Sequence, residues 1–573
     1  MSTPTTADPT ATPTTPTIAP ANRGQTATQP AQQCGGNGET PVTPEIPSGS
    51  GLSAEEARAF LRRPRTEPLI EPKPVVLVPS NATTITTSAE SLFRAIGPKN
   101  QLFHRGGAVA QLTQEDGRLI IKAVDPASAT SLFEKHVEFK RQKCVSNTLV
   151  VEATIINETT AKIYLKSEAC QTLLPTLNGV VNCPLLVERN GGLHQVNSGY
   201  DPATKLYVVN TVEVPVIAVE EAVENLNSLL VDFRFKSEAD RSRALASFLT
   251  PALKFGGFIT GPVPVEVAEA NDSQSGKSYR QQLVAAVYRE RMAVVTKKLH
   301  GVGGLEETFQ KHLFDGCGFI QFDNLRGKLD SQLVEAFMTS KGSFPVRIAF
   351  HPDAAVDPSK HVLFISSNGF ESTKDLANRS SIVRIIKREN YNYPLREGLD
   401  LVEFVFINHV RFLASVYAVI RHWHRAGKPR TAETRHDFKE WCQVCDWIIS
   451  NVFDAAPMMD GHEEAKLRAS NPNLTFFRNL AVKLEDADRL GEGLTATNIA
   501  EFCADEDVAL PNLGANGKDD PQTRRTHVGR IMKTILDGAD QRNWEGYRVV
   551  RVETVVGDCN ADGRGRYRIT KAD

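Results

Sequence analysis

No apolar run in these 573 residues reaches the roughly 18 needed to cross a bilayer, and the start has no basic-then-apolar leader pattern. The expectation is therefore a cytoplasmic chain with no membrane partner. Charge of one sign is not in excess: 66 Lys and Arg face 68 Asp and Glu, so any affinity for nucleic acid has to come from local basic patches. The 9 cysteines are scattered, which argues against a disulfide framework. Cys442 and Cys445 form a CxxC, but no second pair and no His pair follows at zinc spacing. Trp441, Cys445, Ile448 and Ile449 fall on one helical face, so core packing is expected there rather than a metal. Aromatic residues are missing from Met1 to Leu52, a stretch of Thr, Pro, Ala, Gln and Gly. Such a segment cannot bury enough apolar surface to offset ordering entropy, and disorder is expected. A Pro-rich linker follows through Pro79, interrupted by the short helical pattern SAEEARAFLRR.

What is present is enough chain for several cores. From Ser88 to Val223, runs such as AVAQLTQEDGRLIIKAV, TLVVEATII and KLYVVNTVEVPVIAV are rich in Val, Ile and Thr and broken by Gly, Asn and Asp. These are strand and turn signals, and they predict a mixed α/β accessory domain over residues 81–235. No catalytic constellation stands out in it; His194 and Asp201 read as a surface turn and satisfied polar groups.

The pattern then changes to strand, polar loop, helix, strand. Val265 to Ala270 reads as a buried strand, and Leu283, Ala286 and Val287 give an apolar stripe to the helix that follows. Between them lies N-D-S-Q-S-G-K-S, which departs from the phosphate loop G-x-x-x-x-G-K-[ST] at Asn271, where the first Gly belongs. Asn tolerates positive φ better than most non-glycine residues, so the turn can survive. In such a loop backbone amides wrap the β-phosphate, a lysine reaches the β and γ oxygens, and a hydroxyl holds Mg²⁺. The candidate ATP-binding residues are Asn271, Asp272, Ser273, Gln274, Ser275, Gly276, Lys277, Ser278 and Tyr279, with Ser278 on the metal. The competing reading is a Gly-Lys-Ser surface turn.

Further on, GFIQFDNL is an apolar strand ending in an acid, as a Walker B strand does, and Asp323 is the second candidate Mg²⁺ residue. The next residue is Asn324, where ring-forming ATPases usually carry a Glu that polarises the attacking water. An amide can orient water but cannot take its proton. Either hydrolysis is slow or another carboxylate, such as Glu269 beside the loop, serves instead. A third strand, HVLFISSNG, ends in Asn368, placed to contact the γ-phosphate or the water. After it, KDLANRSSIVRI offers Arg379, whose guanidinium could reach the nucleotide of an adjacent subunit. Taken singly, each of these also fits a plain turn or a surface ion pair.

In their order, SQSGKS, FIQFDNLRGKLDSQLVEAF, FISSNG and DLANRSSIVRI resemble the AAA+ ATPases. The resemblance is closer to helicases of superfamily 3 and minichromosome-maintenance-like type found in phages, plasmids and integrative elements. It covers residues 237–393 and implies the phosphate loop at Lys277 and Ser278, Walker B at Asp323, sensor 1 at Asn368 and an arginine finger at Arg379. It further implies ATP bound with Mg²⁺ between subunits of a ring, commonly a hexamer, acting on single-stranded or forked DNA, with a primase as one candidate partner. The segment SKGSFPVRIAFHPDAAVDPSKH lies where many such motors insert a pore hairpin. Lys341, Arg347 and His351 are its candidates for DNA backbone contact, and an ordinary strand connection is the alternative.

After Pro394 the pattern turns helical and almost wholly apolar in LVEFVFINHVRFLASVYAVIRHWH and DFKEWCQVCDWIISNVF, which predicts a buried helical lid over residues 396–470. His422 and His424 face different sides of their helix, and placement near its C-terminus explains them better than metal ligation. In residues 471–573, LTATNIAEFCA reads as a capped helix. QTRRTHVGRIMKTIL places Val528, Ile531, Met532, Ile535 and Leu536 on one face, with Arg524, Arg525, Arg530 and Lys533 outside it. YRVVRVETVV and RYRIT then alternate as two strands about a Gly-rich loop carrying Arg564 and Arg566. That is the outline of a winged helix, with DNA contact as the first reading and protein binding as the second. The expected whole is multidomain α/β: tail and linker 1–80, accessory domain 81–235, an AAA+ P-loop αβα sandwich 236–395, lid 396–470 and a winged-helix-like module 471–573.

Overall fold

The computed structural model describes residues 72–115, 118–145, 148–209, 212–270, 274–295, 303–325, 328–347, 354–508, 510–511, 513, 520–544, 546–552 and 566–572. The expected disorder of Met1–Leu52 and the short helical pattern after it lie outside them.

A five-stranded parallel sheet organises the middle of the chain. Its strands are β1 (Val265–Ala270), β2 (Ala293–Val295), β3 (Phe319–Leu325), β4 (Val362–Asn368) and β5 (Ser380–Ile385), in the spatial order β2-β3-β4-β1-β5. Parallel strands covered on both faces read as near-continuous apolar runs, and β1 and β5 are buried along their whole length. β1 still carries two carboxylates. Glu266 pairs with the buried Arg280 and accepts Gln281 Nε2 at 2.9 Å, both from helix α2 (Lys277–Val287), which must therefore cover that face. Glu269, three residues on and by strand alternation on the other face, meets a later helix. The chain leaves β1 for the far edge at β2, walks back through β3 and β4, and ends beyond β1 at β5. The ends of β1 and β4 thus flank a topological switch point, where open α/β sheets form a crevice.

The apolar core around this sheet runs from Val181 to Ala469. It takes in helix α1 (Glu238–Phe255) and, after the sheet, α6 (Leu401–Ile407), α7 (His409–Arg425), α8 (Lys439–Val452) and α9 (His462–Ser470). Helix Val219–Ser228 lies against α7 and shares this core. The apolar stripe of Ala222 and Leu226 is what draws it there. A separate core spans Val76 to Leu174. The linker expected through Pro79 gives way at Val75–Leu77, a strand paired with Glu138–Val145, because its alternating Val76 and Val78 are buried between prolines that stay at the strand ends. Asp201, the last residue of the strand Gly199–Asp201, is a satisfied polar group: it is buried, accepts Thr204 N at 3.0 Å and pairs with Arg189. His424, in the last turn of α7, pairs with Glu188 at 3.4 Å. Cys442 and Cys445 are buried in α8, where burial pushes the Cys442 thiol up to about 12, and no group of acids, His and Cys suited to a metal occurs among the described residues. No single helix among the described residues is long and apolar enough to cross a membrane; the bent pair α6 and α7 turns by 78°.

The last core holds helices α10 (Pro472–Asp486), α11 (Ala496–Asp505) and α12 (Pro521–Leu536) with strands β6 (Gly493–Thr495), β7 (Gln541–Trp544), β8 (Tyr547–Val552) and β9 (Arg566–Lys571). The sheet order is β6-β9-β8-β7. The face of α12 that is buried consists of Val528, Ile531, Met532, Ile535 and Leu536, and a reciprocal capping box at Thr495 and Asn498 starts α11.

One buried cation joins the accessory unit to the sheet domain. Arg105 donates from Nε to Phe314 O at 3.1 Å, from Nη2 to Leu313 O at 2.8 Å, and from Nη1 to Leu177 O at 3.1 Å and to Asn178 O. Leu313 and Phe314 lie in the last turn of α3 (Leu305–Asp315), whose carbonyl end favours positive charge. Truncation to alanine removes the guanidinium donors from all four carbonyls, of which Leu313 O keeps the Gly316 N–H at 3.2 Å. Arg105→Ala is expected to cost about 3 kcal/mol or more, read as a lower thermal midpoint.

Three imidazoles are neutral because they are buried. His436 and His361 are each depressed to about 4, and His462 lies well below its ordinary value. In His436, Nδ1 accepts Phe438 N at 3.0 Å while Nε2 faces Ser380 O at 3.3 Å, so a second proton would break the first bond. With folded pKa values below the ordinary 6.5, the unfolded chain takes up protons first. This stability is present above pH 6.5 and lost as pH falls toward 4. The thermal midpoint is expected to drop through that window, and to drop less steeply in His436→Gln.

Candidate functional site

Three adjacent strand ends build the site. β1 runs into the loop before α2; β4 lies beside β1 and β3 beside β4, so the residues closing all three strands share one edge of the sheet. Gly276, at φ +86°, is the residue before α2, and its left-handed conformation turns the chain so that Lys277 opens the helix. The amides of that first turn have no partner within the helix and point toward the edge.

Ser278 donates its hydroxyl to Asp323 Oδ1 at 2.6 Å. Ser366, on β4, also donates to Asp323 Oδ1 at 2.6 Å and lies 3.1 Å from the Ser278 hydroxyl. The buried Lys277 ammonium donates to Asn368 Oδ1 and to Ser275 Oγ, the latter at 3.3 Å. Lys277, Ser278, Asp323 and Asn368 therefore come together at one edge. Ser366 is the member that sequence reading missed; two serines closing an otherwise apolar strand were its signal. Asn271, Asp272 and Ser273 lie outside the described residues. Gln274 is exposed at φ +57°, in the turn that leads to Gly276.

Asn324 is exposed, in a register shift of β3 between Phe322 and Leu325, and its backbone N–H donates to Ser366 Oγ at 2.8 Å. Glu269, suggested by sequence as a substitute base, is turned elsewhere: its carboxylate is buried, pairs with Arg468 of α9 and accepts Phe370 N at 3.2 Å. A carboxylate held this way has no open path to a water at the strand ends. Arg379 caps α5 (Lys374–Asn378) and its carbonyl accepts Val265 N at 3.2 Å, at the opposite end of β1 from the loop. At about 3.3 Å per residue, the six-residue strand separates it from its own loop by roughly 17–20 Å. Its side chain is partly exposed beside Asp375, at 3.9 Å.

An aromatic group covers the outer side of the loop. Tyr393 donates to Ser275 O at 3.2 Å and packs on Tyr279 and Phe233 with ring centroids 5.0 and 5.3 Å away. Tyr391 stands edge-on to Tyr393 at 5.5 Å, and the Arg388 guanidinium lies 3.8 Å over the Tyr391 ring. Tyr279 fixes its own position by accepting Leu401 N at 2.8 Å. Burial pushes the Tyr393 phenol up to about 12, so it remains a hydrogen-bond donor.

The basic candidates lie apart from this edge. Lys341 and Arg347 are exposed on either side of the strand Phe344–Val346, which pairs antiparallel with Ala354–Val356 as a hairpin whose tip, including His351, lies outside the described residues. On α12, Arg524 and Arg525 are partly exposed, and Arg530 and Lys533 fully so. Arg564 lies outside the described residues. Arg566 is opposite Val552, Arg568 opposite Val550 and Arg548 opposite Thr570, so all three arginines share the face of β8 and β9 that turns away from the buried Val549 and Ile569.

No family model matches the chain, and no curated protein matches it. Among solved structures it is similar to the C-terminal region of NrS-1 in an A form apo structure, at 13% identity over 78% of this chain and 100% of that one, TM-score 0.29. A second NrS-1 C-terminal structure is 11% identical over the same shares, TM-score 0.28. SCCmec type IV Cch, an active helicase, is 13% identical over 81% of this chain and 91% of that one, TM-score 0.31. Likeness at this level carries no argument about chemistry, which rests on the side chains above.

The crowding at Gly276 gives a direct test. A Cβ there would lie 1.9 Å from the Tyr393 hydroxyl oxygen, on a backbone that L side chains resist. Gly276→Ala is expected to displace the Tyr393 ring and to cost about 1–3 kcal/mol of stability, read as a lower thermal midpoint.

Proposed function

We propose that the chain is a P-loop ATPase of the AAA+ type and works as a ring-forming replicative DNA helicase that moves along single-stranded DNA. The observation that carries this is the meeting of the Ser278 hydroxyl and the Asp323 carboxylate at the mouth of a glycine-turned loop, with the Lys277 ammonium and the Asn368 amide beside them. A hydroxyl and a carboxylate at the N-terminus of a helix form a hard-oxygen donor set, which suits the magnesium ion that accompanies a nucleoside triphosphate. Ser278 and Asp323 would hold that ion, and it supplies charge neutralisation at the β and γ oxygens. Lys277 binds those same oxygens, and the first-turn amides of α2 bind the phosphates. Asn368 orients the γ-phosphate or the attacking water. The rings of Tyr279, Phe233 and Tyr393 offer apolar faces on the outer side of the loop, suited to the adenine base.

Arg379 supports assembly into a ring. It is too far from its own loop to serve it, and partly exposed, so it suits the nucleotide of a neighbouring subunit. The hairpin bearing Lys341 and Arg347 suits backbone contact with a single strand in the pore. The order helix, strand, helix, helix, strands after Pro472 fits a winged helix, and its arginine face from Arg548, Arg566 and Arg568, with Arg524, Arg525 and Arg530 on α12, suits DNA phosphates. A primase is one candidate partner for such an enzyme.

Asn324 favours a second reading. With an amide where a proton acceptor is usual, ATP binding could drive assembly on DNA as an initiator or switch, without unwinding.

One experiment separates the two. Unwinding of a forked duplex with ATP and Mg²⁺, abolished by Lys277→Ala, is the helicase outcome. ATP-dependent assembly on DNA that leaves the fork intact is the switch. No nucleotide binding by the parent chain overturns both.

A further inference from the structure

Glu269 has a surrounding that the nucleotide reading does not use. It is the penultimate residue of β1, next to the start of the loop, and its carboxylate is buried. One oxygen, Oε1, accepts the Phe370 N–H at 3.2 Å; the other pairs with Arg468 near the C-terminus of α9. Phe370 follows Gly369, at φ +77°, and Gly369 follows Asn368, the last residue of β4. The carboxylate is therefore the point where three elements meet: the strand that leads into the phosphate loop, the turn that closes the strand of Asn368, and a helix from the C-terminal side of the sheet domain. The helix is held against the sheet independently at its other end, where His462 Nε2 accepts Ile382 N at 3.3 Å.

A buried carboxylate and guanidinium carry a desolvation cost and are seldom the most stabilising choice for a core position. They do fix direction, since a planar guanidinium bonds a carboxylate in few geometries. Here the direction fixed is that of the turn after Asn368. Tilting Glu269 releases Phe370 N and with it the pose of the Asn368 side chain, whose Oδ1 takes the Lys277 ammonium.

We infer that Glu269 is a positioning residue that links α9 to Asn368, so that the helix sets the rate of ATP turnover rather than the affinity for ATP. The inference rests on the P-loop reading above. Its step involves no bond making: Arg468 holds Glu269, Glu269 holds the turn, and the turn holds the amide that faces the phosphate chain.

The test uses the full chain with Glu269→Gln, Arg468→Lys and the double variant, measuring steady-state ATPase, binding of a non-hydrolysable ATP analogue, and thermal midpoint. Each single variant is expected to lower kcat about tenfold while the analogue affinity stays within about twofold, and the double variant to be no slower than the worse single. Arg468→Lys keeps the buried charge, so it reads the link even where Glu269→Gln fails to fold. A kcat within twofold of the parent in Arg468→Lys, or losses that multiply in the double variant, would falsify the link while leaving the P-loop reading intact. A loss confined to analogue affinity or to the midpoint also overturns it. A parent chain that neither binds nor hydrolyses ATP removes the P-loop reading, and this inference with it.

Discussion

The structure depends on where a doubly covered parallel sheet can put polar groups. Both faces of β1 and β4 are buried, so side chains that must face water or a ligand are driven to the strand ends. The strand order decides which ends are neighbours. Because β4 lies between β3 and β1, a hydroxyl on β4 can bridge the acid that closes β3 and the helix that starts after β1. Ser366 does this, accepting the Asn324 N–H and donating to Asp323 beside Ser278. A valine there would leave the Asn324 N–H and one carboxylate lone pair unsatisfied at a partly buried edge.

Away from that edge, charges inside the chain are tied to joints. Arg105 spans the accessory unit and the C-terminal turn of α3. Arg280 and Glu266 bind α2 to β1. Asp240, Arg243 and Arg384 bind α1 to β5, with Arg243 also donating to Ile382 O at 2.6 Å. The two ion-pair sites are of a kind that apolar residues can often replace without loss of stability, whereas Arg105 serves backbone carbonyls that need a donor. What the charges add is a fixed mutual pose for elements distant in sequence, and that is the requirement of a site assembled from a strand, a turn and two helices.

How much of this was legible depended on sequence separation. The strand, loop and helix around Lys277 were readable because period and composition change within a few residues. The buried face of α12 was readable for the same reason: one helix carries its own pattern. The apolar strands that close in Asp323 and Asn368 could be recognised, and their convergence was expected only through resemblance. Three features had no local signal. The tie of Glu269 to Arg468 spans 199 positions. Arg105 meets Leu313 and Phe314 across more than 200. The packing of helix Val219–Ser228 on α7 joins residues far apart in sequence. An amphipathic helix declares that it has a partner, not which one.

Asn324 brings these threads together. It sits at φ +50°, in the left-handed region, where β3 shifts register before Leu325. Among non-glycine residues Asn enters that region more readily than glutamate does. The bulge is what turns the Asn324 N–H onto Ser366 and so completes the hydrogen bonding beside Asp323. The residue at 324 therefore answers to the backbone that shapes the acid's surroundings, and the same choice places an amide rather than a proton acceptor beside Asp323. Glu269 cannot replace it, being held by Arg468 and Phe370 N. On the proposed reading, Lys277, Ser278 and Asp323 would hold a triphosphate and its magnesium ion, and the water would meet amides only. Turnover would then depend on how well Asn368 is oriented, and Glu269, held by Arg468 of α9, bonds the turn that follows it.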